Sequence, residues 1–177
     1  MTNNEIKIFQ SSRQISAVRN PVTVIVENIR SIYNVGSIFR TCDAAAVERL
    51  CLCGYTVYPP RKELEKTALG STGSVPWERH EDAVHLIHQK KAQGYSVVVF
   101  EHAHGMNNLY ETEISFPLCA VFGNEVDGVS DEVLSLADSV LYIPMCGKKE
   151  SLNVSVACGV ALYELIRRVQ IKNEDGG

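Results

Sequence analysis

Ile143-Pro144-Met145-Cys146-Gly147-Lys148-Lys149-Glu150-Ser151-Leu152-Asn153-Val154-Ser155-Val156-Ala157-Cys158-Gly159-Val160-Ala161-Leu162-Tyr163-Glu164 is a polar loop that runs directly into a helix of small residues. Ser151 reads as the N-cap, its hydroxyl placed to accept from an orphan N–H of the first turn. Behind it, Ser155, Ala157, Cys158, Gly159 and Ala161 keep the helix surface thin. A core alone is better filled by Leu and Ile, and glycine inside a helix costs stability. The pattern therefore predicts close packing of another backbone or a ligand against this helix and its leading loop.

Working outward, Ser139–Ile143 reads as the strand that feeds the loop, and the helix is expected to run to about Val169. Pro21–Glu27 (Pro-Val-Thr-Val-Ile-Val-Glu) is β-branched and almost continuously apolar, the pattern of a strand buried on both faces. Arg49–Cys53, Tyr95–Phe100 and Leu118–Phe122 read as further strands. Helical patterns lie between them: about Asn34–Ala46, Arg61–Leu69 and Glu81–Gln93, the last stopped by Gly94, and a short helix Asp131–Leu136 with Ser130 as its cap. Gly70-Ser71-Thr72-Gly73 breaks the chain after the second. Alternating strands and helices define an α/β class with a mostly parallel sheet and helices on both faces. We expect one domain over residues 1–177, with 1–20 as an N-terminal extension and 171–177 as a frayed tail.

Composition excludes several classes. Apolar residues make up 45% and charged residues 21% of 177, ordinary for a globular chain that buries a core without disulfides. No run reaches the ~18 apolar residues of a membrane span, and Met1–Lys7 lacks the apolar centre of a signal peptide, so a cytoplasmic location is expected. The six cysteines form no CxxC pair; they read as buried free thiols, and Cys51-x-Cys53 alone is too little for a metal site. Seventeen basic against 21 acidic residues give a net charge of −4, which argues against binding nucleic acid by bulk charge but permits a local basic patch.

Ligands of parallel sheets bind beyond the carboxyl ends of strands, and three loops stand at such ends: Asn28–Gly36, Gly123–Ser130 and Pro144–Asn153. In the first, Arg40 follows Asn34 by six residues, which places both on one helical face. That face is either a functional pair or a capped helix with Arg40 in an ion pair to Asp43. In the second, Glu125 and Asp127 between Gly123 and Gly128 are either an acid/base pair or an ordinary acidic turn. His80, His85 and His88 lie on or near one helix and read as solvent-facing. His102 and His104 stand at a strand end, either lining the pocket or in a polar loop, with no catalytic role assigned.

Taken together, Asn34…Arg40, Phe122-Gly123-Asn124-Glu125…Gly128 and Ile143-Pro144-Met145…Ser151-Leu152-Asn153-Val154-Ser155-Val156 resemble, in order and spacing, the three motifs of the SpoU/TrmH family. These are AdoMet-dependent RNA 2′-O-ribose methyltransferases of the SPOUT class, and the resemblance spans about residues 20–170. It implies S-adenosyl-L-methionine as cofactor, tRNA or rRNA as partner, a homodimer, and a C-terminal deep trefoil knot, a topology proteins otherwise avoid. Residue by residue it implies catalytic roles for Asn34, Arg40, Glu125, Ser151 and Asn153. It implies AdoMet contacts from Gly123, Ile143 and Leu152, and RNA contacts from Arg30 and Arg167. A guanidinium is a poor base, so the role expected of Arg40 is to grip the neighbouring phosphate and orient the 2′-hydroxyl, with Asn34 holding Arg40 in place. Ile32-Tyr33 departs from the family's Pro followed by a small or polar residue, which leaves the shape of the substrate loop open. Relatives of this compact form make tRNA guanosine in the D-loop the leading substrate. Lys7, Arg13 and Arg19 are the basic residues ahead of Pro21. Two rival readings are a module of the same fold that binds AdoMet and RNA without catalysis, and a dinucleotide oxidoreductase. The second lacks a GxGxxG after the first strand.

Overall fold

The computed structural model describes residues 18–101 and 106–175, with side chains to Lys172. Among these residues, seven strands form one sheet: β1 Asn20–Glu27, β2 Val47–Cys53, β3 Trp77–His80, β4 Ser96–Phe100, β5 Asn107–Asn108, β6 Leu118–Phe122 and β7 Ser139–Tyr142. Their order is β3-β2-β1-β6-β4-β7-β5, and every neighbouring pair is parallel. The four central strands β1, β6, β4 and β7 therefore end on the same side, where the chain leaves them at Asn28, Gly123, Glu101 and Ile143.

Among the described residues, five α-helices cover the sheet: α1 Ile32–Ala44, α2 Lys62–Ala68, α3 Ala83–Ala92, α4 Asp131–Ser135 and α5 Val154–Asp175. Strand alternation sorts the core into two layers. Val22, Val24 and Val26 face Val35, Ile38, Phe39 and Cys42 of α1 and Cys158, Ala161, Leu162 and Leu165 of α5. Ile25, Cys51, Val97, Val99 and Val121 face Leu86 and Ile87 of α3 and Val133 of α4. Each fully buried Leu, Ile or Val contributes about 1.5–3 kcal/mol, so the apolar strands explain their own central position.

Several expectations change in detail. The cap of α5 is Asn153 rather than Ser151: Asn153 Oδ1 accepts from the backbone N–H of Ser155 at 3.0 Å, and its carbonyl accepts the first helical bond from Ala157 at 2.8 Å. α5 also continues to Asp175, past the Val169 expected and through the start of the stretch read as a frayed tail. Arg168 donates to the carbonyls of Leu109 and Thr112, and Lys172 to that of Ile114 at 3.1 Å, so polar residues hold this end down. α1 starts at Ile32, two residues early, because Ser31 accepts from the Asn34 N–H at 3.3 Å. Ser130 flanks α4, but its hydroxyl donates to Glu27 at 2.8 Å instead of capping. His80 lies on β3, a strand absent from the sequence reading, while His85 and His88 on α3 are exposed. Gly159 is not required for close approach, since an added Cβ would meet only Thr41 Cγ2 at 3.9 Å.

Five cysteines are buried, as expected, and Cys146 is exposed. Burial pushes the thiols of Cys51, Cys119 and Cys158 up to about 12. His102, His104, Lys7 and Arg13 lie outside the described residues.

Candidate active site

Every wall of the main cleft comes from a segment that leaves the carboxyl end of a central strand. It measures about 530 Å³. One side is apolar, with Phe100, Phe122, Leu141, Ile143, Leu152 and Val154; the other is polar, with Glu101, Asn124, Glu125, Ser151 and Asn153. Phe100 and Phe122 stack with centroids 4.9 Å apart and form the floor.

The loop after β6 is closed by reciprocal backbone bonds between Asn124 and Gly128, at 3.0 and 2.9 Å. Gly123 makes that closure possible, because a Cβ there would sit 2.3 Å from the Gly128 carbonyl. Two strand-end carboxylates anchor the loop. Glu27 accepts from the Ser130 N–H at 3.0 Å, and Glu101 from the Val129 N–H at 3.0 Å. Asn124 Oδ1 accepts from Val126 N at 2.7 Å, while its amide donates to the Asn28 carbonyl at 2.8 Å. Glu125 and Asp127 thus project from a rigid turn.

Asn34 joins the three loops. Its amide donates to Glu125 Oε1 in a short hydrogen bond, and its carbonyl oxygen accepts from the Asn153 amide at 3.1 Å. Asn153 Oδ1 in turn accepts from the Ser155 hydroxyl at 2.6 Å. Residues 91 and 119 positions apart in the chain are therefore neighbours. The expectation that Asn34 holds Arg40 is corrected: the Asn34 amide bonds Glu125 and Asn153, not Arg40. Arg40 stands further along α1, exposed, with no hydrogen bond or ion pair among the described residues. The alternative pairing with Asp43 is absent too, since Asp43 accepts from the Ser74 hydroxyl at 2.6 Å.

Of the residues singled out from sequence, Gly123, Glu125, Ile143, Ser151, Leu152 and Asn153 line the main cleft. Asn34 reaches it through Glu125 and Asn153. Arg30 lines a second, adjoining cleft. Arg167 lies apart, bonded through Nε and Nη2 to Glu164 at 2.8 Å each. Arg19 is likewise committed, to the carbonyls of Val47 and Ser74 at 3.1 and 2.7 Å. Sequence reasoning missed Glu27, Glu101, Tyr55 and Asn124. The signal for the first two was present, an acidic residue closing an otherwise apolar strand.

Away from the clefts, Cys51, Glu78 and His80 bring ligand atoms within 4.8 Å of one another. The Glu78 carboxylate already accepts from Arg49 and faces His80 Nε2 at 3.1 Å, so its oxygens are committed within the protein. Among the described residues, no helix is long and apolar enough to cross a membrane.

The chain belongs to the SpoU rRNA methylase family, whose model matches residues 21–163. The tRNA (guanosine(18)-2′-O)-methyltransferase of Aquifex aeolicus is 34% identical over 152 residues, covering 84% of this chain and 70% of that protein. Among solved structures, the AdoMet-bound rRNA methyltransferase from Sinorhizobium meliloti superposes with a TM-score of 0.78 at 30% identity, over 87% of this chain and 58% of that one. A protein solved for 2-OH methylation of C/U34 on tRNA gives a TM-score of 0.74 at 28% identity, over 85% of this chain and 99% of its own.

Proposed function

We propose that this protein is an AdoMet-dependent methyltransferase that modifies a ribose 2′-hydroxyl of tRNA or rRNA, with a D-loop guanosine of tRNA as the leading target. The observation that carries this reading is the Asn34 amide, which locks Glu125 and Asn153 together at the rim of the main cleft. It unites the three family motifs at one point, where a reacting hydroxyl has to be held.

The cleft suits AdoMet: its size falls in the usual range for small-molecule sites, and its apolar and polar sides match a flat base and a charged amino-acid tail. When bound, AdoMet supplies an already activated methyl group. Gly123, Ile143 and Leu152 hold the adenosine end through their backbones. Glu125, Ser151 and Asn153 shape the ribose site, so that the 2′-hydroxyl lies in line and water is displaced. Arg40, with its fork uncommitted, grips the adjacent phosphate and lowers the cost of charge on the hydroxyl oxygen. A phosphate oxygen or a water then takes the proton. Arg30 and Arg167 contact the RNA. In this reading the Pro144–Asn153 loop and α5 pass through a trefoil knot. Val156 and Tyr163, 50% and 57% exposed on the outer face of α5, meet a second copy in a cytoplasmic homodimer.

Mass-spectrometric mapping of 2′-O-methyl nucleosides in tRNA and rRNA, from cells with and without the gene, tests this proposal. One 2′-O-methyl site disappears on deletion, and its position separates D-loop guanosine from position 34. An unchanged map overturns the reading and leaves the binding module without catalysis.

A further inference from the structure

A second cleft adjoins the first and is lined by Arg30, Ser31, Asn124, Glu125, Val126 and Asp127. Asn124, Glu125 and Val126 belong to both clefts. A nucleotide whose ribose sits at Glu125 must therefore place its base or its phosphate in the second. Charge decides between them. The lining carries one cation, Arg30, against two carboxylates, Glu125 and Asp127, so it repels a phosphate and admits a neutral group.

The cation is also arranged for stacking. The Arg30 guanidinium carbon lies over the Tyr55 ring, 4.6 Å from its centroid. Tyr55 is fixed from two sides: its hydroxyl accepts from the Asn124 amide at 3.3 Å, and its N–H donates to Asn28 Oδ1 at 3.3 Å. Unpaired bases stack on aromatic rings and on guanidinium planes, whereas a phosphate uses the guanidinium edge. At the lip stands Val126, 88% exposed, an apolar side chain that no core contact explains. It offers a face against which a base removed from its stack regains apolar contact.

We infer that this second cleft is a base subsite, in which Arg30 backed by Tyr55 on one side and Val126 on the other hold the unpaired nucleobase of the nucleotide being methylated. The inference rests on the transferase reading above and makes the RNA contact of Arg30 a stacking contact with the base.

The test is a double-mutant cycle between protein and RNA. Wild type, Arg30→Ala, Arg30→Lys, Tyr55→Ala and Tyr55→Phe are assayed on the mapped tRNA transcript and on the same transcript with an abasic residue at the target position. Titration with AdoMet verifies that each variant is folded. Removing the base lowers kcat/KM of the wild type roughly 10- to 100-fold. The same removal costs Arg30→Ala and Tyr55→Ala less than about threefold, because the stacking partner is already gone. Tyr55→Phe stays close to wild type, and Arg30→Lys behaves like Arg30→Ala. Equal turnover of intact and abasic RNA by the wild type, or full rescue by Arg30→Lys, overturns the base subsite and leaves the transferase reading standing. A wild type that transfers no methyl group overturns the transferase reading. The cleft is then judged by binding: about tenfold weaker binding of a single-stranded guanosine-containing oligoribonucleotide by Arg30→Ala and Tyr55→Ala supports it, and unchanged binding refutes it.

Discussion

Asn34 carries more of the site than its size suggests. Both ends of its amide are used, one on Glu125 and one on Asn153, so the position needs a side chain that donates to a carboxylate and accepts from an amide at once. Asn34→Ala is expected to lower kcat on the order of 10²-fold through misplacement of the ribose site, with AdoMet affinity changed far less; single-turnover assays and AdoMet titration separate the two. Arg40 presents the opposite case, a guanidinium with no partner among the described residues. Arg40→Ala is expected to abolish transfer while leaving AdoMet affinity within about twofold, and Arg40→Lys to fall between, since it keeps the charge and loses the fork. Which asparagine meets which glutamate was not legible from spacing. Contacts over 91 and 119 positions exist only after the sheet aligns its strand ends, and resemblance alone had grouped these residues.

At the scale of elements, the buried strands were legible because a strand covered on both faces is apolar at almost every position, as in β1, β4 and β6. β3 was not, since Trp77-Glu78-Arg79-His80 is a partly exposed edge strand with three polar side chains, Glu78 paired to Arg49. The start of α5 was misplaced by two residues because Ser151 and Asn153 are equally good cap types, and only the bond to Ser155 decides between them. Asn153→Ala is expected to cost about 1 kcal/mol from the cap alone, visible as a lower Tm. Gly36 marks where α1 meets α2: an added Cβ would lie 2.6 Å from Thr67 Cβ. Gly36→Ala is therefore expected to destabilise by about 1–3 kcal/mol, read by denaturant melts. The far end of α5 depends on Glu164. Arg167 and Arg168 hold its carboxyl down to about 2, below the usual range near 4.5. A depressed carboxylate contributes stability that is complete above its unfolded value and disappears as pH falls. The Tm of the wild type should accordingly drop between about pH 5 and pH 2 more steeply than that of Glu164→Gln.

Across the whole molecule, one geometric fact organises the rest: four adjacent parallel strands end together, the segments after β4, β6 and β7 walling the main cleft and the segment after β1 giving Arg30 and Ser31 to the adjoining one. The class was legible because strands and helices alternate. Which segment passes through which was not, since periodicity reports only which faces are buried. The cysteines offer a probe of this assembly. Cys42, Cys51, Cys53, Cys119 and Cys158 are buried with thiols raised by desolvation, and Cys146 is exposed on the loop that follows Ile143-Pro144-Met145. Alkylation of the native protein is expected to modify Cys146 alone within minutes, and the other five only after unfolding; mass spectrometry counts the adducts.

The most direct measurement is methyl transfer itself. Purified protein is incubated with AdoMet labelled in its methyl group and with bulk tRNA and rRNA, and the RNA is then hydrolysed in alkali. A methylated 2′-hydroxyl blocks cleavage of its own phosphodiester, so the account predicts label in alkali-resistant dinucleotides, and none with Arg40→Ala. Label released as mononucleotides, or undiminished label with Arg40→Ala, contradicts it.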